Sequence, residues 1–180
     1  MDIKIRLETE KDFRETEILT REAFWDIYKP GCDEHLVLHK LRKAPAFVNE
    51  LDFVAVHEDR IIGNIIYSKA KIVNGDNQEH EVLCMGPLSV WPSYQGKGIG
   101  SQLMKHSIIA AEKMGFRAVI IFGDPDYYKR FGFVNAEKYR ITTSDGANFD
   151  AFMAIYSCPK PHNGLIPQKE TGTAAAILFG

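Results

Sequence analysis

Apolar and charged residues alternate at the start of the chain, where Ile3, Ile5 and Leu7 fall between Asp2, Lys4, Arg6 and Glu8. A period of two is that of a half-buried strand. Thr9 then offers a helix cap with Asp12 at the third helical position, and Ile18, Leu19, Ala23 and Phe24 would form that helix's apolar face. Pro30-Gly31 interrupts the pattern, and a second helix follows from about Asp33 to Lys43 with Leu36, Val37 and Leu41 on one side. From Leu51 the period changes. "LDFVAVH" and "IIGNIIYSKAKIV" flank the charged turn Glu58-Asp59-Arg60, and Asn74-Gly75 supplies a second turn because both residues tolerate positive φ. A third strand runs from about His80 to Val90. Three strands joined by tight turns make an antiparallel meander.

Pro87, within the third strand, has no N–H for a ladder and belongs at an edge or bulge. With Gly86 beside it, "MGPLSV" is expected to bulge and part from a neighbouring strand, leaving free backbone groups around Leu88 and Val90. Leu103, Met104, Ile108, Ala111 and Met114 then recur at helical spacing, and Gly115 would end that helix. "AVIIF" reads as a strand buried on both faces, so strand, helix and strand form a right-handed crossover. A short helix near "PDYYKRF" and strands near Phe133 and Ala151–Tyr156 complete a core of about residues 3–157.

The 180 residues suit a single domain, 1–180, with 158–180 as a C-terminal extension. Its apolar end, "AAAILFG", would serve as a docked strand in the chain's own core or as a homodimer interface. A net charge of -2 gives no field to recruit nucleic acid or an anionic membrane. Cys32, Cys84 and Cys158 are scattered and the N-terminus carries no apolar leader, so a soluble cytoplasmic protein is expected. None of the six histidines has metal-motif spacing, and no metal is expected.

The chemistry concentrates in "WPSYQGKGIGSQLMKHS". Gly96, Gly98 and Gly100 stand where a strand ends and a helix begins. Helix N-termini carry unpaired N–H groups and partial positive charge, and glycines let those amides approach an anion such as a phosphate. Lys97 adds a cation. The P-loop pattern fails because Gly98 follows the lysine, and the dinucleotide fingerprint fails because Ser101 stands where it needs glycine. From these residues alone, a ligand loop and a flexible helix start remain equal alternatives.

Gln95-Gly96-Lys97-Gly98-Ile99-Gly100 resembles the Gln/Arg-x-x-Gly-x-Gly/Ala signature of the GNAT superfamily (GCN5-related N-acetyltransferases). "YYKRFGF" resembles that family's aromatic-Tyr-x-x-x-Gly-Phe segment, with Tyr128 four residues before Gly132. The resemblance implies an α/β fold of α+β type, with a mixed, mainly antiparallel twisted sheet flanked by helices. Its bulged central strand would splay to admit acyl-CoA. It also implies acetyl-CoA as co-substrate, direct transfer to a primary amine, and a small molecule or a protein amino group as acceptor. The backbone at Leu88 and Val90 would take the pantetheine arm, and the Leu88 amide the oxyanion. Gln95, Gly96, Lys97, Gly98, Ile99, Gly100 and Ser101 would hold the pyrophosphate. Tyr128 would protonate the departing thiolate. The asparagine that many relatives carry after the buried strand is absent, since Phe122-Gly123-Asp124-Pro125 stands there.

A general base is not evident. Glu34 is a weak candidate whose simpler reading is a solvated first turn, and Glu79, His80 and Glu81 precede the bulged strand. Asp124 and Asp126 read as turn chemistry, Cys84 as core, and Trp25, Tyr28 and Trp91 as packing or an acceptor wall. The rivals to an acetyltransferase are a non-catalytic acyl-CoA sensor or structural module, an acyltransferase with a longer acyl donor, and a nucleotide-phosphate enzyme.

Overall fold

The computed structural model describes residues 1–156, so the expectations for 158–180 lie outside the described residues. Chain order is β1 (Lys4–Leu7), α1 (Phe13–Phe24), α2 (Glu34–Leu41), β2 (Phe53–His57), β3 (Arg60–Val73), β4 (Glu79–Val90), α3 (Ile99–Lys113), β5 (Ala118–Phe122), α4 (Pro125–Tyr128), β6 (Val134–Asn135) and β7 (Phe152–Tyr156). The seven strands follow the hydrogen-bonded order β1-β2-β3-β4-β5-β7-β6 in a mixed, mostly antiparallel sheet. The described chain divides into two compact units, one of Met1–Ser68 with Met85–Ala111, the other of Lys69–Cys84 with the residues from Glu112 onward.

In the first unit β1 and β2 pair antiparallel from Lys4↔Val56 to Leu7↔Phe53, and β2 turns into β3. The turn is Glu58-Asp59, both at positive φ, the mirror-image geometry that matches strand twist. Leu19, Val54 and Ile61 form one core cluster beneath α1, and Leu38, Leu41 and Ile66 another beneath α2.

Both helices bury a face that matches only in part the one their sequences suggest, keeping Leu19 and Leu41 inside. The residues that α1 buries are Thr16, Leu19 and Thr20, while Ile18 lies outward. Threonines can occupy that face because their hydroxyls find partners at Glu8 and Asn64. Only one ridge of the eight-residue α2 can face inward, and it is Leu38 and Leu41; Leu36 and Val37 are exposed. The start of α1 also differs. Asp12 is its N-cap, and its carboxylate accepts from Thr9 N at 2.9 Å, the reach-back of a capping box executed one turn early.

In the second unit β5 is the spine. It pairs antiparallel with β7 from Ala118↔Tyr156 to Phe122↔Phe152, and β6 adds to β7. The parallel ladder of β4 with β5 consists of Leu83↔Val119 and Cys84↔Ile120. Phe122, expected inside, is 44% exposed and stacks on Phe152 at 5.0 Å instead. The β3–β4 turn places its positive φ at Asn77 and not at Asn74-Gly75. The Asn74 side chain accepts from the amides of Asp76 and Gln78, closing the loop without a left-handed asparagine there.

Candidate functional site

Within the first unit, β4 runs through Gly86 (φ 131) and a cis Gly86-Pro87 peptide to Val90. The orientation of its last residues follows from two contacts. Trp91 N–H donates to Ile62 O at 3.0 Å, and a Cβ on Gly63 would lie 3.0 Å from Ser89 O. Ser89 and Trp91 therefore turn their main chain toward β3, and Leu88 and Val90 turn theirs to the opposite edge, since alternate residues of a strand face opposite sides. The Val90 carbonyl on that edge is not bare, because Gln95 Nε2 donates to it at 3.1 Å.

The glycine loop follows at once. Gly96 and Gly98 have φ 74 and 82, and a Cβ on either would meet nothing within 4 Å. These glycines are required by the left-handed backbone and not by lack of room in the protein. The first main-chain bond of α3 is Gln102 N to Gly98 O at 3.0 Å, so the amides of Ile99, Gly100 and Ser101 have no partner within the helix. Ile99, only 1% exposed, pins this turn to the core. Lys97 folds back, donating to Ser93 O at 2.9 Å with its ammonium 5.0 Å from the Tyr94 ring centroid. Gln95 to Gly98 are exposed, and Ser101 is half-buried.

Glu34 opens α2, and its Oε2 accepts from Asp33 N at 3.1 Å. Cys32 Sγ and His35 Nδ1 stand 3.5 Å apart nearby, but desolvation, aided by the Glu34 and Asp33 charges, raises the Cys32 thiol's pKa. Trp25 and Tyr28 are exposed, whereas Trp91 packs beside Leu19, Val54 and Ile61 with Arg60 over its ring.

Within the second unit, Asp124 caps α4 by accepting from Asp126 N at 2.9 Å, so its role is the turn chemistry its sequence suggested. Gly132, at φ 91, closes the helical turn that follows. Tyr128 meets Tyr127 edge-on at 4.9 Å and Phe133 at 5.8 Å. Gly123 also lies against the ring, where a Cβ would come within 2.3 Å of it. Gly123 is thus the floor on which Tyr128 lies. Glu79 and Glu81 pair with Lys71 and Lys69 on the β3–β4 ladder. Cys84 is buried and its thiol is pushed up to about 12, which makes it inert.

Two buried polar groupings in the first unit have no signal in the sequence. Ser89 Oγ donates to Thr20 Oγ1 at 3.1 Å, and Thr20 Oγ1 donates to Asn64 Oδ1 at 3.3 Å. Arg42, its side chain 3% exposed, meets both Glu8 oxygens at 2.8 and 2.7 Å, and Asp52 lies 4.0 Å from its Nε. Burial, then hydrogen bonding and repulsion from Glu8, raise Asp52 to about 9. Among the described residues no group of three or more His, Cys, Asp or Glu is arranged to hold a metal ion, and no helix is long and apolar enough to cross a membrane.

Residues 49–135 match a family described as an acetyltransferase (GNAT) domain. The uncharacterized N-acetyltransferase YhbS of Escherichia coli K12 is 31% identical over 130 residues, covering 72% of this chain and 72% of that protein. Another from the same organism, the uncharacterized N-acetyltransferase YjhQ, is 32% identical over 83 residues, and this chain spans 45% of its length. Among solved structures, a GNAT family acetyltransferase from Brucella melitensis in complex with acetyl-CoA superposes with a TM-score of 0.71 at 27% identity, covering 91% of this chain and 93% of that one. YhbS from E. coli in complex with CoA gives 0.74 at 26% identity, covering 86% and 81%.

Proposed function

Because the chain belongs to the GNAT superfamily of N-acetyltransferases, we propose that it moves the acetyl group of acetyl-CoA directly to a primary amine, on a small molecule or a protein. One observation carries the reading. The helix start at Gly98 offers amides that have no partner within the helix, directly after a strand whose Leu88 and Val90 turn their main chain away from β3. A pyrophosphate suits the first and an amide-bearing arm the second. Gln95, Gly96, Lys97, Gly98, Ile99, Gly100 and Ser101 hold the pyrophosphate in this reading. The arm takes over the Val90 carbonyl from the Gln95 side chain.

The chemistry is an acyl transfer. A neutral amine nitrogen attacks the thioester carbonyl carbon, the C–O π pair moves to oxygen, and the C–S bond then breaks as the carbonyl re-forms. The Leu88 N–H stabilises the intermediate oxyanion. The thiolate takes a proton from Tyr128, and the nitrogen gives up one proton to a base. Glu34 is the weak candidate for that base, since one of its oxygens already serves the Asp33 amide.

Calorimetric titration with acetyl-CoA tests the reading, comparing the native chain with Gly98→Trp. Saturable binding that the variant loses is the expected result; no binding by the native chain would sink it. An amine panel follows, with CoA release as readout. Binding without acetylation of any amine would favour an acyl-CoA sensor.

A further inference from the structure

We propose that Thr20 is a positioning residue for this reaction, holding through Ser89 the stretch of β4 whose backbone meets the thioester. The inference rests on the reading of Leu88 and Val90 given above. It starts from an oddity of α1, whose inner face is expected to be apolar yet carries two threonines. Thr16 is accounted for, since its hydroxyl bonds Glu8 and receives Arg42 Nη2 at 2.7 Å. Thr20 takes no part in that ion-pair cluster. It accepts from Ser89 and donates to Asn64, so a single file of side-chain hydrogen bonds crosses from β4 through α1 to β3.

All three residues are fully buried or nearly so. Asn64 Nδ2, at the end of the file, has no hydrogen-bond partner among the described residues. A buried donor without a partner costs stability, and apolar side chains of the same shapes would fill the space without that penalty. Stability alone therefore does not explain the arrangement. Its location does. Ser89 lies between Leu88 and Val90, and its backbone already faces β3 while its side chain rises to α1. A strand whose middle residue is fixed both in the plane of the sheet and perpendicular to it cannot roll about its own axis. Roll is the motion that would swing the Leu88 N–H away from a thioester oxygen, and a misplacement of about 1 Å is enough to cost ~100-fold in rate.

Acetyl-CoA and CoA separate this role from general stability, because they share pyrophosphate and pantetheine but only acetyl-CoA has the carbonyl that Leu88 would bond. The native chain is expected to prefer acetyl-CoA. Thr20→Val should shrink that preference by roughly three- to tenfold, the range one neutral hydrogen bond spans. Thr20→Ser should restore it. Ser107→Ala removes another buried hydroxyl, bonded to Tyr67 at 2.7 Å, and should lower the melting temperature without changing the preference. If Thr20→Val does not fold, Ser89→Ala removes the same bond from the β4 side and should shrink the preference alike.

Equal loss of both ligands in Thr20→Val, no loss at all, or an equal change in Ser107→Ala overturns the positioning role while the cofactor reading stands. Equal affinity of the native chain for the two ligands overturns it as well. A native chain that binds neither ligand fails differently, because the cofactor reading itself then falls and takes this inference with it.

Discussion

Replacing Gly123 by alanine should displace Tyr128 without touching it chemically. The added Cβ would lie 2.3 Å from the nearest ring carbon and 2.9 Å from the next. Ordinary carbon contact is about 3.5 Å, so one partner must retreat by about 1.2 Å, the difference between 3.5 and 2.3 Å. The backbone is poorly placed to do so, because Gly123 N–H is bonded to Ala151 O at 2.9 Å within the β5–β7 end. The ring must move instead, against Tyr127 and the buried Phe133. A proton donor misplaced by about 1 Å forfeits ~100-fold. General acid catalysis contributes about 10²–10⁴, and a readily departing thiolate sets the lower end. Gly123→Ala is thus expected to lower kcat by about 10²-fold with KM for acetyl-CoA little changed, matching Tyr128→Phe. The double variant should be no worse than either single one, because both remove the same interaction. The assay is thiol release from acetyl-CoA with the best amine of the panel. Full activity in Tyr128→Phe, or losses that simply multiply in the double variant, would refute the assignment.

Asp52 makes stability depend on pH. Its folded pKa, about 9, lies above the ordinary 3.8, so its contribution is fully present below about pH 4, declines as pH rises, and is gone beyond about pH 9. Thermal unfolding of Asp52→Asn should therefore show a gain over the native chain at pH 8 relative to pH 5; parallel curves would contradict the burial argument. Asp12 has the opposite sign. Hydrogen bonding to Arg6 lowers it to about 2, so Asp12→Asn should cost stability at neutral pH and lose its effect as acid titrates through that value. Gly63→Ala would bring a Cβ within 3.0 Å of Ser89 O, 3.1 Å of Leu103 Cδ1 and 3.2 Å of Ile99 Cγ2. Such overpacking costs about 1–3 kcal/mol, or several degrees of melting temperature, and an unchanged melting point would show that β3 and α3 yield to an added methyl without cost.

The strand and loop framework was readable because its signals are local. Alternation marks β1, apolar runs bounded by turn residues mark β2 to β4, Asp124-Pro125 marks α4, and Gly115 (φ 90) ends the helix that its periodicity predicts. The helix faces were not readable in the same way. Hydrophobicity favours Ile18 over Thr20 as an inward residue, and nothing near Thr20 announces partners 44 and 69 residues away. The Glu8–Arg42–Asp52 grouping is hidden for the same reason, since charged residues default to the surface unless paired. Asn74-Gly75 marked the turn but not its geometry, because Asn74 closes it with both backbone and side chain while the positive φ falls at Asn77. Glycine spacing located the loop, and within the protein the reason for Gly96 and Gly98 is backbone handedness rather than room for a Cβ.

Arg42 also bears on how the first unit opens. A helix as short as α2 has no stability of its own in water. Arg42, which caps its C-terminus, nonetheless grips Glu8 beyond β1, Thr16 and Glu17 of α1 and the Phe13 carbonyl, with Asp52 close to its Nε. Fraying α2 alone would strand a desolvated Glu8 carboxylate, a loss of about 3–5 kcal/mol for a broken buried pair. The two helices and β1 should therefore open together as one cooperative unit. Their amides are expected to exchange hydrogen with a common protection, and Arg42→Met should release all three segments at once rather than α2 by itself.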